Sequence, residues 1–175
     1  MDGNLAKILA EKKDKILESW QETALASYHP KSAAFMRQQT DRFANPVGYA
    51  ITSSMSALLD NTVMGRGVTE AYPVLDSIVR IRAVQDFSPS QAIAFLFQLK
   101  PLLRRELDVI SDHVEMAGEW KALAERIDCL ALAAFDIYMN CRQQLYDLRI
   151  KELKRGWQPD QGRSLWQDAQ DQEQI

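Results

Sequence analysis

The sequence predicts an all-α domain of about six helices, on three observations. Only 7 glycines and 6 prolines interrupt 175 residues. Long stretches are rich in Ala, Leu, Gln, Glu, Lys and Arg, the residues that lose least on entering a helix. Apolar residues recur at steps of three and four, most cleanly from Trp120 through Leu123, Ile127, Ala131, Ala134, Tyr138, Cys141 and Leu145 to Leu148.

The first predicted helix runs from about Asn4 to Tyr28, with Leu5, Leu9, Ile16, Trp20 and Ala24 on one face. His29-Pro30 ends it, because a residue before proline avoids the helical region. A second, shorter helix is expected over Ser32–Phe43, with Phe35, Met36 and Phe43 as its apolar contribution. Asn45-Pro46 then reads as an N-cap followed by proline at the first helical position. The third helix carries Val47, Ile51, Met55, Leu58 and Thr62, and Gly65-Arg66-Gly67 closes it, Gly65 being suited to a left-handed cap.

The fourth helix, near Glu70 to Gln85, places Val74, Ile78 and Ile81 on one side. Ser88-Pro89-Ser90-Gln91 supplies an N-cap, an N1 proline and the reciprocal glutamine of a capping box. The fifth helix extends from there to about Val114 and contains Pro101, which should kink it near Phe97 and Gln98. The sixth spans about Gly118 to Lys154. Each of these last two carries a second apolar stripe: Ala92, Phe95, Leu99 and Leu102 on the fifth, Leu132, Phe135, Met139, Tyr146 and Leu153 on the sixth. One stripe serves a helix's own core, so a second needs other cover. The expected cover is a second subunit, the two long helices and their mates forming a four-helix bundle in a symmetric homodimer. Phe95, Leu99, Leu102, Leu132, Phe135 and Met139 are the candidate interface.

Composition bounds the function. Residues 156–175 carry Asp160, Asp168, Asp171 and Glu173 against Arg163, so the whole net charge of -3 lies there and the body is neutral. A neutral body lacks the concentrated basic face that nucleic acid requires. The start of the chain has no apolar core of signal-peptide length, and the longest apolar run, Cys129 to Phe135, is too short to cross a bilayer. Cys129 and Cys141, roughly 18 Å apart along one helix, cannot pair with each other within one subunit. Two unpaired thiols fit a cytoplasmic location, as small buried hydrophobes. The expected organisation is a helical domain over residues 1–155 and a polar, acidic, flexible tail over 156–175. Trp157 and Trp166 in that tail are candidate partner anchors, set against docking back on the body or mere disorder.

Catalytic and metal signatures are absent. The two histidines, His29 and His113, belong to no metal-binding pattern, and no paired Cys-x-x-Cys occurs. Gly65-Arg66-Gly67 lacks the third glycine of a dinucleotide loop and is a helix stop. No nucleophile elbow and no phosphate-binding loop ending in Lys-Ser/Thr is present. His113 is placed at the C-terminal end of the fifth helix, where an imidazolium suits the dipole; His29 lies in a solvent-facing turn. Arg80, Arg82 and Asp86 form a candidate inter-helix latch, with Arg82 and Asp86 one helical turn apart. An acid with two arginines could also grip an anion. Yet Arg80 and Arg82 point about 200° apart on a helix and cannot both face one pocket unless the helix is ending there.

The stretch Ile78 to Gln98, with Asn45-Pro46 before it and the long last helix after it, resembles the RsbRD-type N-terminal domain, the sensor end of stressosome co-antagonist proteins. The likeness extends over about residues 5 to 150, and its central segment is the specific part. The resemblance implies a globin-like fold without haem, dimeric through its two long helices, and a role in signal input and stress response. Two departures bear on it. The chain ends within about 20 polar residues of the last helix, without the STAS output domain that follows in RsbR-type proteins, so the signal is expected to leave through a protein partner. The fourth helix has no histidine to serve as a haem ligand, His29 and His113 being wrongly placed and only Tyr49 or Tyr72 able to ligate iron in principle.

The function expected is therefore a non-enzymatic sensor or regulatory module, a homodimer with an unidentified protein partner, no cofactor, and room for a small-molecule ligand. A haem- or cofactor-binding globin-like sensor is one alternative. An accessory subunit recruiting a larger complex through its C-terminal tail is the other.

Overall fold

The computed structural model describes residues 4–39, 41–85, 87–108 and 113–156, and its secondary structure is entirely helical across them. The elements are α1 (Asn4–Glu11), α2 (Lys13–Leu25), α3 (Pro30–Gln38), α4 (Pro46–Val63), α5 (Val68–Val84), α6 (Pro89–Asp108) and α7 (His113–Gly156). The all-α class is as the sequence predicts. Internal contacts divide the chain into two units, residues 1–141 and 142–175.

The first predicted helix is two. Lys12 leaves helical geometry at φ -99 and ψ 6, although the amides of Lys12 and Ile16 still bond back to Ile8 and Lys12. Its ammonium donates to the Glu106 carbonyl at 2.6 Å, and Lys15 reaches the Glu106 carboxylate at 2.9 Å. The break therefore falls where two lysines converge on one point of α6. Pro30 begins α3 two residues earlier than expected, because His29 caps it by accepting the Lys31 amide, and proline fits the first helical turn. That helix ends at Gln38, so Phe43 lies outside it and is exposed, as is Phe35; Ala33 is its buried residue.

Local signals elsewhere produce what they encode. Asn45 Oδ1 accepts from the Gly48 amide at 2.9 Å while Nδ2 donates to the carbonyls of Met36 and Gln39. One buried side chain thus starts α4 and ties down the end of α3. Beyond α4, Gly65 adopts φ 76, and the amides of Gly65 and Arg66 return to Thr62 and Asn61, the paired bonds of a Schellman cap. At α6 the capping box closes in both directions, Gln91 N to Ser88 Oγ at 3.3 Å and Ser88 N to Gln91 Oε1 at 3.0 Å. Pro101 lies inside α6, which runs through it as one helix.

α4 packs chiefly on α5, and α2 on α6. Trp20 is wholly buried, stacks on Phe95 with centroids 5.9 Å apart, and donates its indole N–H to the Phe95 carbonyl at 2.6 Å. Burying a side chain of this size is worth about 2–3 kcal/mol, and the bond removes the penalty of its one polar atom. The buried face of α5 is Ala71, Leu75, Ile78, Val79, Arg82 and Ala83. It is rotated from the expected Val74–Ile78–Ile81 line, because Val74 and Ile81 are only half-buried. Up to Cys141, α7 buries Leu123, Ile127, Leu130, Ala131, Ala134, Ile137 and Tyr138. Polar ties fix it: Glu119 accepts the Leu5 amide, Arg126 donates to Thr62 O, and Lys100 pairs with Asp128.

Residues 142–156 form a helical segment of their own unit, where Arg142 lies 5.3 Å over the Tyr146 ring and Gln143 bonds Asp147. His113 opens α7 instead of ending α6. Cys129 is exposed and Cys141 buried, against the expectation of two buried thiols.

A Cβ at Gly48 would collide with the Asn45 side-chain amide, with Cγ at 2.7 Å. Gly48→Ala gains about 1 kcal/mol of helix propensity but displaces three bonds at roughly 1 kcal/mol each. The expected net loss is about 2 kcal/mol, read as a lowered urea midpoint with an unchanged slope.

Candidate functional site

Four segments converge on Arg82. Its place on α5 follows the buried steps Ala71, Leu75, Ile78 and Arg82, so the helix carries its side chain inward, and the residue is 1% exposed. Nη2 donates to Ser27 Oγ at 2.8 Å, in the turn after α2, and to the Gln91 carbonyl at 3.1 Å, in the first turn of α6. The guanidinium carbon lies 4.4 Å from the Phe87 ring centroid, 5.3 Å from Tyr28 and 5.5 Å from Phe95. Tyr28 and Phe87 meet edge to face at 5.0 Å.

What Arg82 lacks is an acid. No carboxylate among the described residues forms an ion pair with it, and Nε and Nη1 are buried without a hydrogen-bond acceptor. The Tyr28 hydroxyl is buried without a partner as well. Burial pushes the guanidinium below its ordinary value, opposed by the charge and the hydrogen-bonding hydroxyl of Tyr28 close by; burial pushes the Tyr28 phenol up, opposed by the charge and the nearby N–H donors of Arg82. The hydroxyl therefore stays protonated and remains a donor. Over this cluster opens a cleft of about 410 Å³, lined by Ser27, Tyr28, Phe87 and Gln91 together with His29 and Gln85, among others.

Of the expected latch, Arg82 bonds to α6, as described. Arg80 pairs with Asp76 at 2.7 Å along α5. Asp86 lies outside the described residues, as do Trp157 and Trp166. The partners of Arg82 were not anticipated, although the sequence held one signal: an arginine standing in the register of a buried apolar stripe.

The expected subunit interface divides. Phe95 and Leu99 are buried inside the chain, Phe95 beneath Trp20 and Arg82, so they face its own core; Leu102 is half-buried. Leu132, Phe135 and Met139 are 69%, 42% and 47% exposed on α7. Phe97 on α6 is also exposed. Leu132 and Met139 are seven residues apart, and in sequence that step continues through Tyr146 and Leu153, the spacing of a helix–helix seam. In the second unit Tyr146 and Leu153 are exposed too.

Tyr49 and Tyr72, the residues able to ligate iron, are both at the surface. Among the described residues no three His, Cys, Asp or Glu side chains stand together as a metal site, and no helix is long and apolar enough to cross a membrane.

The sequence pattern of the RsbT co-antagonist protein rsbRD N-terminal domain matches residues 14–153. The chain belongs to this family. The match takes in α2 through most of α7, including every residue that touches Arg82, and the family is one of regulatory domains. An uncharacterized protein of Archaeoglobus fulgidus is 24% identical over 139 residues, 79% of this chain and 82% of that one. No solved structure matches the chain.

A second buried charge in this rsbRD-type domain sits at Glu106, where Lys15, Lys12 and Arg105 surround the carboxylate. Its bond from Lys15 and the nearby cations hold it below the ordinary 4.5, against the opposing effect of burial. A depressed carboxyl stabilises the fold above its unfolded value, and that contribution disappears as pH falls through the folded one. The wild type should therefore lose stability below about pH 4.5 more steeply than Glu106→Gln, in urea midpoints taken across the acid range.

Proposed function

We propose that the chain is a non-enzymatic regulatory module that acts as a homodimer and passes its signal to a protein partner. One observation carries this reading: α7 has a second apolar face that the described residues of its own unit leave uncovered. Leu132, Phe135 and Met139 lie within about 60° of one another on a helix, opposite the buried Leu130, Ala134 and Ile137. Large apolar side chains lined up in this way mark an interaction surface. A two-fold dimer covers it with the same face of a second copy, residue for residue, and the seven-residue step is the one by which two such helices stay in register.

Family membership supports the regulatory half of the proposal. The Arg82 cluster supports it too, since a buried cation with unused donors suits a ligand better than a reaction: no nucleophile–base pair accompanies it among the described residues.

Leu132→Asp and Phe135→Asp test the interface. Both sites are solvent-facing within one chain, so the helical circular dichroism should not change. Native mass spectrometry of the wild type should give a dimer, and each variant should raise the dimer dissociation constant roughly 100-fold or more, the equivalent of about 3 kcal/mol. A wild type that is monomeric at micromolar concentration would remove the mechanism.

A further inference from the structure

We infer that the Arg82 cluster binds one small monoanionic carboxylate, held by the donors of Arg82 and Tyr28 that have no acceptor among the described residues. The identity of this ligand as the signal rests on the regulatory reading above; its binding does not.

The argument begins from charge. A guanidinium removed from water without an anion is the arrangement that folded proteins ordinarily avoid, and the usual remedy is a carboxylate alongside it. Here Nη2 is used by Ser27 and Gln91, while Nε, Nη1 and the Tyr28 hydroxyl are buried and unused. Those groups are donors only or can act as donors, so the missing partner is an acceptor. Two carboxylate oxygens offer about four acceptor positions. The flanking cleft has the matching polarity: among the described residues that line it none is acidic, and Ser27, His29, Gln85 and Gln91 are polar.

Charge also selects the ligand's valence. One buried cation balances one negative charge, and a dianion such as hydrogen phosphate would leave a surplus charge in the same low-dielectric setting. A volume of about 410 Å³ holds a short carboxylic acid with its solvent.

Between the cleft and the guanidinium stand the rings of Tyr28 and Phe87. Both line the cleft, both lie over Arg82, and both are only half-buried. The ligand reaches Nε and Nη1 when these rings turn aside, so occupancy displaces Phe87. The Phe87 carbonyl in turn accepts the Tyr138 hydroxyl at 2.6 Å, and Tyr138 is on α7 next to Met139 of the uncovered face. A carboxylate at Arg82 thereby acts within two residues of the proposed dimer seam.

The test uses the full chain labelled with nitrogen-15, following the arginine Nε–H signals while sodium acetate is added. The Arg82 signal is assigned by its loss in Arg82→Met, or in Arg82→Lys if the first variant fails to fold. Acetate should move it saturably, and sodium phosphate and sodium chloride at equal ionic strength should not. No movement, a movement without saturation, or equal movement with all three salts, an adventitious ion only, would overturn the inference. Asp86→Asn should leave the acetate affinity within about threefold, whereas a tightening of about tenfold or more would make Asp86 the internal partner of Arg82 and also overturn it. A monomer that still binds acetate would refute the dimer and leave this site standing; a dimer that does not would do the reverse.

Discussion

A single buried cation organises one end of this molecule. Arg82 joins α5 to the turn after α2 and to the start of α6, and three aromatic rings surround its guanidinium. Ring contacts of this kind are worth about 0.5–2 kcal/mol each, and a hydrogen bond from a charged donor about 1.5–3 kcal/mol. Burying an unpaired ion costs several kcal/mol. These opposing quantities are of the same size, so the cluster specifies how the helices meet without adding much to stability. Phe95 shows how far the arrangement reaches, since one ring touches Arg82, the same residue stacks on Trp20, and its carbonyl receives the indole N–H. Through Phe87 and Tyr138 the cluster reaches α7 as well.

α7 is the other half of the account. Its inner face is closed by packing and by ties to α1, α4 and α6, while its outer face repeats the apolar pattern with nothing from its own unit against it. A helix placed in this way can transmit a change at one face to a partner at the other, because packed interfaces move between discrete arrangements more readily than they deform. Regulation through such a helix needs no catalytic group. It requires a ligand that favours one arrangement over the other by its own contacts, and the unused donors of Arg82 and Tyr28 offer such contacts.

How much of this was legible in the sequence depends on distance along the chain. The caps were readable because each lies within a few residues: Asn45 to Gly48, Ser88 to Gln91, Gly65 back to Thr62. The break at Lys12 was not, since it coincides with a contact to Glu106 in a distant helix. Periodicity revealed two stripes on each long helix but not which faced inward. On α6 the stripe assigned to an interface contains Phe95 and Leu99, and the structure turns them toward Trp20 and the chain's own core. On α7 the stripe Leu132, Phe135 and Met139 is the outer one. Arg82 was singled out for a pairing along its own helix, whereas its observed acceptors come from Ser27 and Gln91, in other segments. Helical pattern determines a residue's face; which neighbour meets that face is decided by tertiary packing.

The central claim is that the charge of Arg82 is kept for a ligand and not for the stability of the fold. The most direct measurement is the unfolding free energy of Arg82→Met against the wild type, by urea denaturation in buffer free of carboxylates. Methionine keeps the length and apolar packing of the side chain and removes the buried charge. The account predicts a variant within about 1 kcal/mol of the wild type, or more stable, as when buried ions are replaced by well-packed apolar residues. A loss of about 3 kcal/mol or more, the penalty of breaking a paired buried charge, would contradict it.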